Sequence, residues 1–195
     1  GFYMLSKQFH ALPIPSGANW AAIYDVNDAG LALGTSWISE PPAVQRGFVF
    51  DLNSQTYTAI LMPHPGAAWC YATGINAKNE VCGTRSIGSK TDPTHPRTAF
   101  LWNGAFSDLG IMDGPSSYAA DIADDGAIVG TSGGQNGTPF SRAFIWHQGT
   151  TLILPSAPGG INSAASASRN QDWVLLNSIF SDNTLHGFAY FDGAY

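Results

Sequence analysis

Arg142-Ala143-Phe144-Ile145-Trp146 decides the fold, because the pattern recurs along the chain. A small residue, Phe, one further residue and a large apolar one stand again at Gly1-Phe2-Tyr3-Met4, Gly47-Phe48-Val49-Phe50, Ala99-Phe100-Leu101-Trp102 and Gly187-Phe188-Ala189-Tyr190. The Phe positions lie 46, 52, 44 and 44 residues apart, and self-similarity at such a period marks a repeat architecture. Phe and the large residue two positions on share one face of an extended strand, so Phe48, Phe100, Phe144 and Phe188 are predicted as core.

Three further markers keep the same phase. After each Phe strand comes a segment ending in a break, at Ala11-Leu12-Pro13, Leu61-Met62-Pro63, Asp108-Leu109-Gly110 and Ile153-Leu154-Pro155. Then comes a run into a tight turn, at Tyr24-Asp25-Val26-Asn27, Thr73-Gly74-Ile75-Asn76 and Ala120-Asp121-Ile122-Ala123, with a degenerate copy at Ser166-Ala167-Ser168-Arg169. The segments leaving the turn are Leu33-Gly34-Thr35-Ser36, Cys82-Gly83-Thr84-Arg85 and Val129-Gly130-Thr131-Ser132, with Leu175-Leu176-Asn177-Ser178 as a worn copy. The turns Asp28-Ala29-Gly30, Ala77-Lys78-Asn79 and Asp124-Asp125-Gly126 place Gly or Asn third. That is the signature of a bulged hairpin turn with a left-handed last residue, predicted here at Gly30, Asn79 and Gly126, the fourth copy near Asn170-Gln171 being irregular. Asn103-Gly104 and Asp192-Gly193 mark a second, two-residue hairpin after the Phe strand.

Each unit is therefore four short strands, a to d: a, bulged turn, b, variable loop, c (the Phe strand), tight turn, d, and a Pro/Gly-rich connection. Four-stranded units of this length are the size of β-propeller blades. The predicted fold is all-β, a β-propeller-like array of about four blades plus an extra c/d hairpin, in one domain. Its units fall near 1–19 (partial), 20–65, 66–112, 113–158 and 159–195. A β-sandwich competes on strand length, but needs no such period.

Composition agrees. Gly (22) and Pro (12) leave little room for long helices, and charged residues reach only 11%. Aromatics at 12% and hydrophobics at 44% belong to a folding chain. The net charge of −6, with no basic run, removes the footprint of a nucleic-acid binder. No apolar stretch approaches the length of a membrane-spanning helix. With no initiator Met and no signal-like start, the chain reads as a mature or excised segment, any export signal lying upstream of Gly1.

The residues also resemble a known family. The Phe motif, above all Arg142-Ala143-Phe144-Ile145-Trp146 and Thr98-Ala99-Phe100-Leu101-Trp102, is followed by the Asp108-Leu109-Gly110 strand end and a hairpin that approximates Ile-Asn/Asp-x-x-Gly-x-Val-x-Gly, with Ala123 and Ile128 departing from it. The combination is similar to the bacterial extracellular HAF repeats. The His of the name-giving tripeptide is replaced by Arg46, Thr98 and Arg142 and kept only as His186, with Gly for Ala beside Arg46 and His186. The resemblance implies export and a propeller-like array, and no particular chemistry.

The sequence carries no His-Glu-x-x-His, no phosphate loop and no Gly-x-Gly-x-x-Gly before a helix. Asp25 and Asp121 fall at equivalent positions of strand a, with Gly74 and Ser166 read as their counterparts. In a four-bladed ring the two would face each other across the channel, as carboxylates of a carbohydrate-acting hydrolase or as turn-capping acceptors. The five His residues show no zinc spacing, and the Asp-rich turns lack the ligand count of a calcium loop. No metal or cofactor is therefore expected. Cys82 opposes Gly74 in the hairpin register, which puts Cys70 near Ser86, too far from Cys82 for a disulfide.

Trp20 and Trp69 occupy one repeat position just before strand a, Tyr118 lies nearby in the third repeat, and Trp37 follows strand b. These aromatics are the candidate ligand-binding residues, for stacking on sugars or anchoring a protein, with inter-blade packing as their alternative role. The loops Trp37 to Arg46, Ser86 to Arg97 and Ser132 to Arg142 vary most and form the expected recognition surface. The leading expectation is a non-catalytic, secreted or cell-surface binding scaffold for carbohydrate or protein, rather than an enzyme. A structural subunit of an extracellular assembly is the alternative: the c strand occurs five times and strands a and b four times, so unpaired end strands invite closure within the ring, completion by a larger parent propeller, or head-to-tail homo-assembly.

Overall fold

The computed structural model describes residues 2–5, 7–38, 44–61, 69–86, 97–110, 112, 114–133 and 141–194. A hairpin opens the chain, β1 (Phe2–Leu5) with β2 (Gln8–Ala11). The first blade is β3 (Trp20–Val26), β4 (Leu31–Ile38), β5 (Val44–Asp51) and β6 (Thr56–Leu61), each antiparallel to the next. The second is β7 (Trp69–Ile75), β8 (Val81–Ser86), β9 (Arg97–Trp102) and β10 (Phe106–Gly110). The third is β11 (Ser116–Ile122), β12 (Ile128–Gly133), β13 (Ser141–His147) and β14 (Thr150–Ile153). The fourth has three strands, β15 (Gly160–Asn170), β16 (Trp173–Phe180) and β17 (Leu185–Phe191). The a–b–c–d order holds throughout, and β1–β2 is a c/d hairpin without its a and b strands. Beyond the blades, one parallel bridge, Gln45 to Trp69, ties the first to the second.

Turn chemistry behaves as its residues require. Gly30, Asn79 and Gly126 have φ of 79°, 64° and 93°, and each follows a bulge in its a–b hairpin. The fourth turn, at Asn170–Trp173, contains no left-handed residue and is entered through a register shift.

Each blade's core is an interlock of glycine and phenylalanine. Gly34, Gly83 and Gly130 of strand b stand opposite Phe48, Phe100 and Phe144 of strand c. A Cβ on those glycines would lie 2.3, 2.7 and 2.8 Å from the Cζ of the facing ring. The missing side chain is the space the ring occupies, and all three rings are wholly buried. Phe188 is only half-buried.

The blades pack face to face in sequence order. One cluster joins Tyr3 and Leu12 to the first blade, a second joins Leu33 and Val49 to the second blade, a third joins Cys82 and Leu109 to Ile128 and Phe144, and a fourth joins Val129, Ile145 and Leu154 to Val174, Leu176 and Tyr190. Trp102 and Trp146 pack against the second and third clusters. Among the described residues no such cluster joins the fourth blade to the first.

Side chains staple the seams. The backbone N–H groups of Ala99 and Ala143 donate to the hydroxyls of Ser117 and Ser163 on strand a of the following blade, 2.9 Å each. Cys70 holds the same position at the earlier seam and its sulfur accepts from Gly47 N–H. Asn27 Nδ2 donates to Asn76 O and Asn76 Nδ2 to Ala123 O, running from turn to turn across three blades. Asp124 and Asp125 accept from Ala77 N and Gln171 N. The acidic turns therefore serve the seams. Both thiols are free and buried, and desolvation pushes each pKa up to about 12. Gly74 does pair with Cys82, but the bulge shifts the register by one, so Cys70 faces Arg85 and not Ser86.

Candidate functional site

The a strands of successive blades lie beside one another, β3 against β7, β7 against β11 and β11 against β15. Asp25 and Asp121 come from matching positions of β3 and β11, two blades apart. Asp25 accepts from Val26 N and, in the next blade, Ile75 N, both at 2.8 Å. Asp121 accepts from Ile122 N at 2.9 Å and, in the next blade, Ser168 N at 2.8 Å. Each carboxylate thus joins two blades. The counterpart of Asp121 in the last blade is Ala167, opposite Leu175 as Asp121 is opposite Val129, and not Ser166, in line with the alignment of Ala120-Asp121-Ile122-Ala123 on Ser166-Ala167-Ser168-Arg169. At Gly74 a Cβ would sit 3.1 Å from Asp121 Oδ1 and from Ile122 N, so a side chain there is tightly crowded by the third blade. Burial raises the pKa of Asp121 against the two N–H donors, which favour the anion.

Trp69 and Tyr118 meet at one place. Trp69 is the first residue of β7, within the strand and not on a loop before it. Tyr118 lies further along β11 of the next blade. Between their rings is the guanidinium of Arg97, 5.4 Å from the Trp69 ring centroid and 5.9 Å from that of Tyr118, with Arg97 Nη1 donating to Tyr118 Oη at 3.3 Å. Such a stack holds a cation in place through the electron-rich ring faces. Arg97 has no carboxylate partner among the described residues. Trp69 Nε1 is buried and finds no hydrogen-bond partner there. The surrounding cleft, about 590 Å³, is lined by Gln45, Tyr71, Thr73 and Thr84 as well. Tyr24 of the first blade packs against Tyr71 in a tilted ring pair with centroids 4.9 Å apart, and burial pushes the Tyr71 phenol up to about 12. The cleft thus offers one cation, hydroxyl and amide groups, and aromatic walls.

Trp20 and Trp37 lie elsewhere, as a cross-strand pair on the first blade, Trp20 exposed and Trp37 half-buried. Of the four candidate aromatics, the structure unites Trp69 with Tyr118 and leaves Trp20 with Trp37. Arg97 was not singled out by sequence reading. Its repeat position, three residues before the motif Phe, holds Gln45 and Ser141 in the neighbouring blades, and that break in the repeat is the signal that marks it. The greater part of the three variable loops, at 39–43, 87–96 and 134–140, lies outside the described residues.

Neither a family model nor a curated protein sequence matches the chain. Solved structures do. TolB from Acinetobacter baumannii superposes with a TM-score of 0.54 at 13% identity, over 96% of this chain and 47% of its own. The β-propeller domain of the Trilobed protease from Pyrococcus furiosus, whose topology is described as open velcro, superposes with a TM-score of 0.57 at 10% identity, over 90% of this chain and 53% of its own. The fold is a β-propeller fold. The chain spans about half the length of the solved structures it matches. No helix among the described residues is long and apolar enough to cross a membrane.

Proposed function

We propose that this propeller is a non-catalytic binding scaffold of the cell surface or extracellular medium, and that the Arg97 cleft takes an acidic carbohydrate. The observation that carries the reading is the guanidinium held between the Trp69 and Tyr118 rings without a carboxylate partner among the described residues. A preorganised cation beside hydroxyl and amide groups suits the carboxylate of an acidic sugar, and the aromatic walls suit its apolar face. Asp25 and Asp121 each spend both oxygens on backbone donors, which supports a scaffold over a carbohydrate-acting hydrolase. The extracellular setting rests on the resemblance to the HAF repeats. Protein ligands remain the counterpart class for the outer loops.

A glycan array with neutral and acidic members tests the reading, followed by calorimetric titration of the best ligand. Arg97→Gln is expected to weaken binding by roughly tenfold or more, the loss of a charge-assisted hydrogen bond being worth ~1.5–3 kcal/mol. Retention of no acidic glycan, or equal binding by Arg97→Gln, overturns it.

A further inference from the structure

The Arg97 stack is the second of two places built on one plan. In the second blade Trp69, Ser86 and Arg97 pair in a row across β7, β8 and β9. In the first blade Trp20, Trp37 and Gln45 form the same row across β3, β4 and β5. Directly paired residues share a face of their sheet, with Cβ atoms about 5 Å apart, so each row points to one side. The residue that the next blade brings to Arg97 is Tyr118, opposite Thr131, and its repeat counterpart is Tyr71, opposite Thr84. Trp20, Gln45 and Tyr71 therefore hold the positions of Trp69, Arg97 and Tyr118 one blade earlier. The third blade does not continue the series. Its row is Ser116, Gly133 and Ser141, and Ala164 of the fourth blade stands where the tyrosine would.

The two places are joined. Gln45 and Tyr71 line the same cleft as Trp69, Arg97 and Tyr118, and the bridge from Gln45 to Trp69 makes the end of one row the start of the other. They differ in charge and in what covers the tryptophan. Arg97 reaches across the small Ser86 to lie over Trp69, which is only 6% exposed. In the first blade the uncharged, shorter Gln45 has Trp37 between it and Trp20. Trp20 carries no ring or guanidinium among the described residues, and 42% of its surface is open. An open indole face beside a carboxamide suits an uncharged sugar, since the ring takes the apolar face and the amide both donates to and accepts from hydroxyls. A carboxylate placed there would lose water without gaining a counter-charge.

On the reading of the Arg97 cleft as a site for acidic carbohydrate, we propose that it takes two successive units of one glycan, an uncharged sugar at Trp20 and Gln45 and an acidic sugar at Arg97. Calorimetric titration of the whole chain tests this with glucuronate, with disaccharides joining glucuronate to an uncharged hexose in either order, and with a disaccharide of two uronates. One of the mixed disaccharides is expected to bind roughly fivefold or more tighter than both glucuronate and the all-acid disaccharide. Trp20→Ala, at an exposed position outside the Arg97 stack, should bring that disaccharide to within about twofold of glucuronate while circular dichroism stays unchanged. Equal affinity for glucuronate and both mixed disaccharides, a preference for the all-acid one, or an unaltered preference in Trp20→Ala would overturn the two-unit proposal. Glucuronate binding that Arg97→Gln weakens would, in those cases, leave the acidic-carbohydrate reading standing. Binding of no acidic probe overturns that reading and the two-unit proposal together. Should Trp20→Ala fail to fold, the order of affinities for the wild-type chain decides by itself.

Discussion

The third and fourth blades are built on the same repeat and part at one residue of strand b. In the third, Gly130 lies under Phe144, whose ring is wholly buried. In the fourth, Leu176 faces Phe188 and fills the space the ring takes elsewhere; Leu176 is buried and Phe188 is left half-buried, stacked on Phe180 at 6.1 Å. The turns differ in the same sense, Gly126 being left-handed in the third blade while Asn170–Trp173 has no such residue. The third blade also has a following blade to cover Val129, and the fourth exposes Leu175. A propeller seam thus fills a fixed volume. Glycine plus phenylalanine fills it with a locked ring, whereas leucine fills it alone and displaces the ring.

The sharpest way to break that comparison is to truncate both rings. Phe144→Ala should cost about 3–5 kcal/mol in urea unfolding, and Phe188→Ala distinctly less, about 1–2 kcal/mol. Equal losses would show that the leucine does not substitute for the ring. Next comes the glycine itself: Gly130→Ala puts a Cβ 1.9 Å from Tyr118 O and into the Phe144 ring, and should destabilise by roughly 1–3 kcal/mol through overpacking. Gly126→Ala, whose Cβ would meet only Glu80 Oε2 at an ordinary 3.7 Å but whose φ is 93°, should cost only about 1–2 kcal/mol of left-handed strain. If Gly126→Ala proved the more damaging, strain and not packing would separate the two blades.

Two smaller effects sharpen the account of the seams. The raised carboxyl of Asp121 favours the folded state most while protonated. Its contribution is present below the ordinary value of 3.8 and is lost as pH rises through the raised one. Unfolding free energy measured across that acid range should flatten in Asp121→Asn, and a curve parallel to wild type would assign the dependence to another group. Cys70→Ser should change stability by less than about 1 kcal/mol, since Ser117 and Ser163 already make the same bond at the later seams. A large loss in differential scanning calorimetry would mean that Cys70 packs and does not staple.

Much of the fold was legible in the chain because each blade repeats local instructions. The Phe motif, the third-place Gly or Asn of the turns and the phase of the repeat name the strands, their order and the left-handed residues. Pairing register was legible as far as Gly74 with Cys82 and failed by one residue at Cys70, because a bulge adds a residue that side-chain alternation does not reveal. The candidate site was half legible. Trp69 and Tyr118 stood out as aromatics, but Arg97 reads as a loop end until the seam carries it between their rings.

By itself, then, the amino-acid order determined the blade: period, strand count, turn type and the buried face of the c strand all follow from interactions within about fifty residues, where backbone conformation and alternation govern. Only the tertiary structure decided why strand b carries glycine and what Asp25 and Asp121 hold. Those are contacts between successive repeats, made by side chains that sequence places a full period apart, and their outcome depends on the volume and donors that the neighbouring blade supplies.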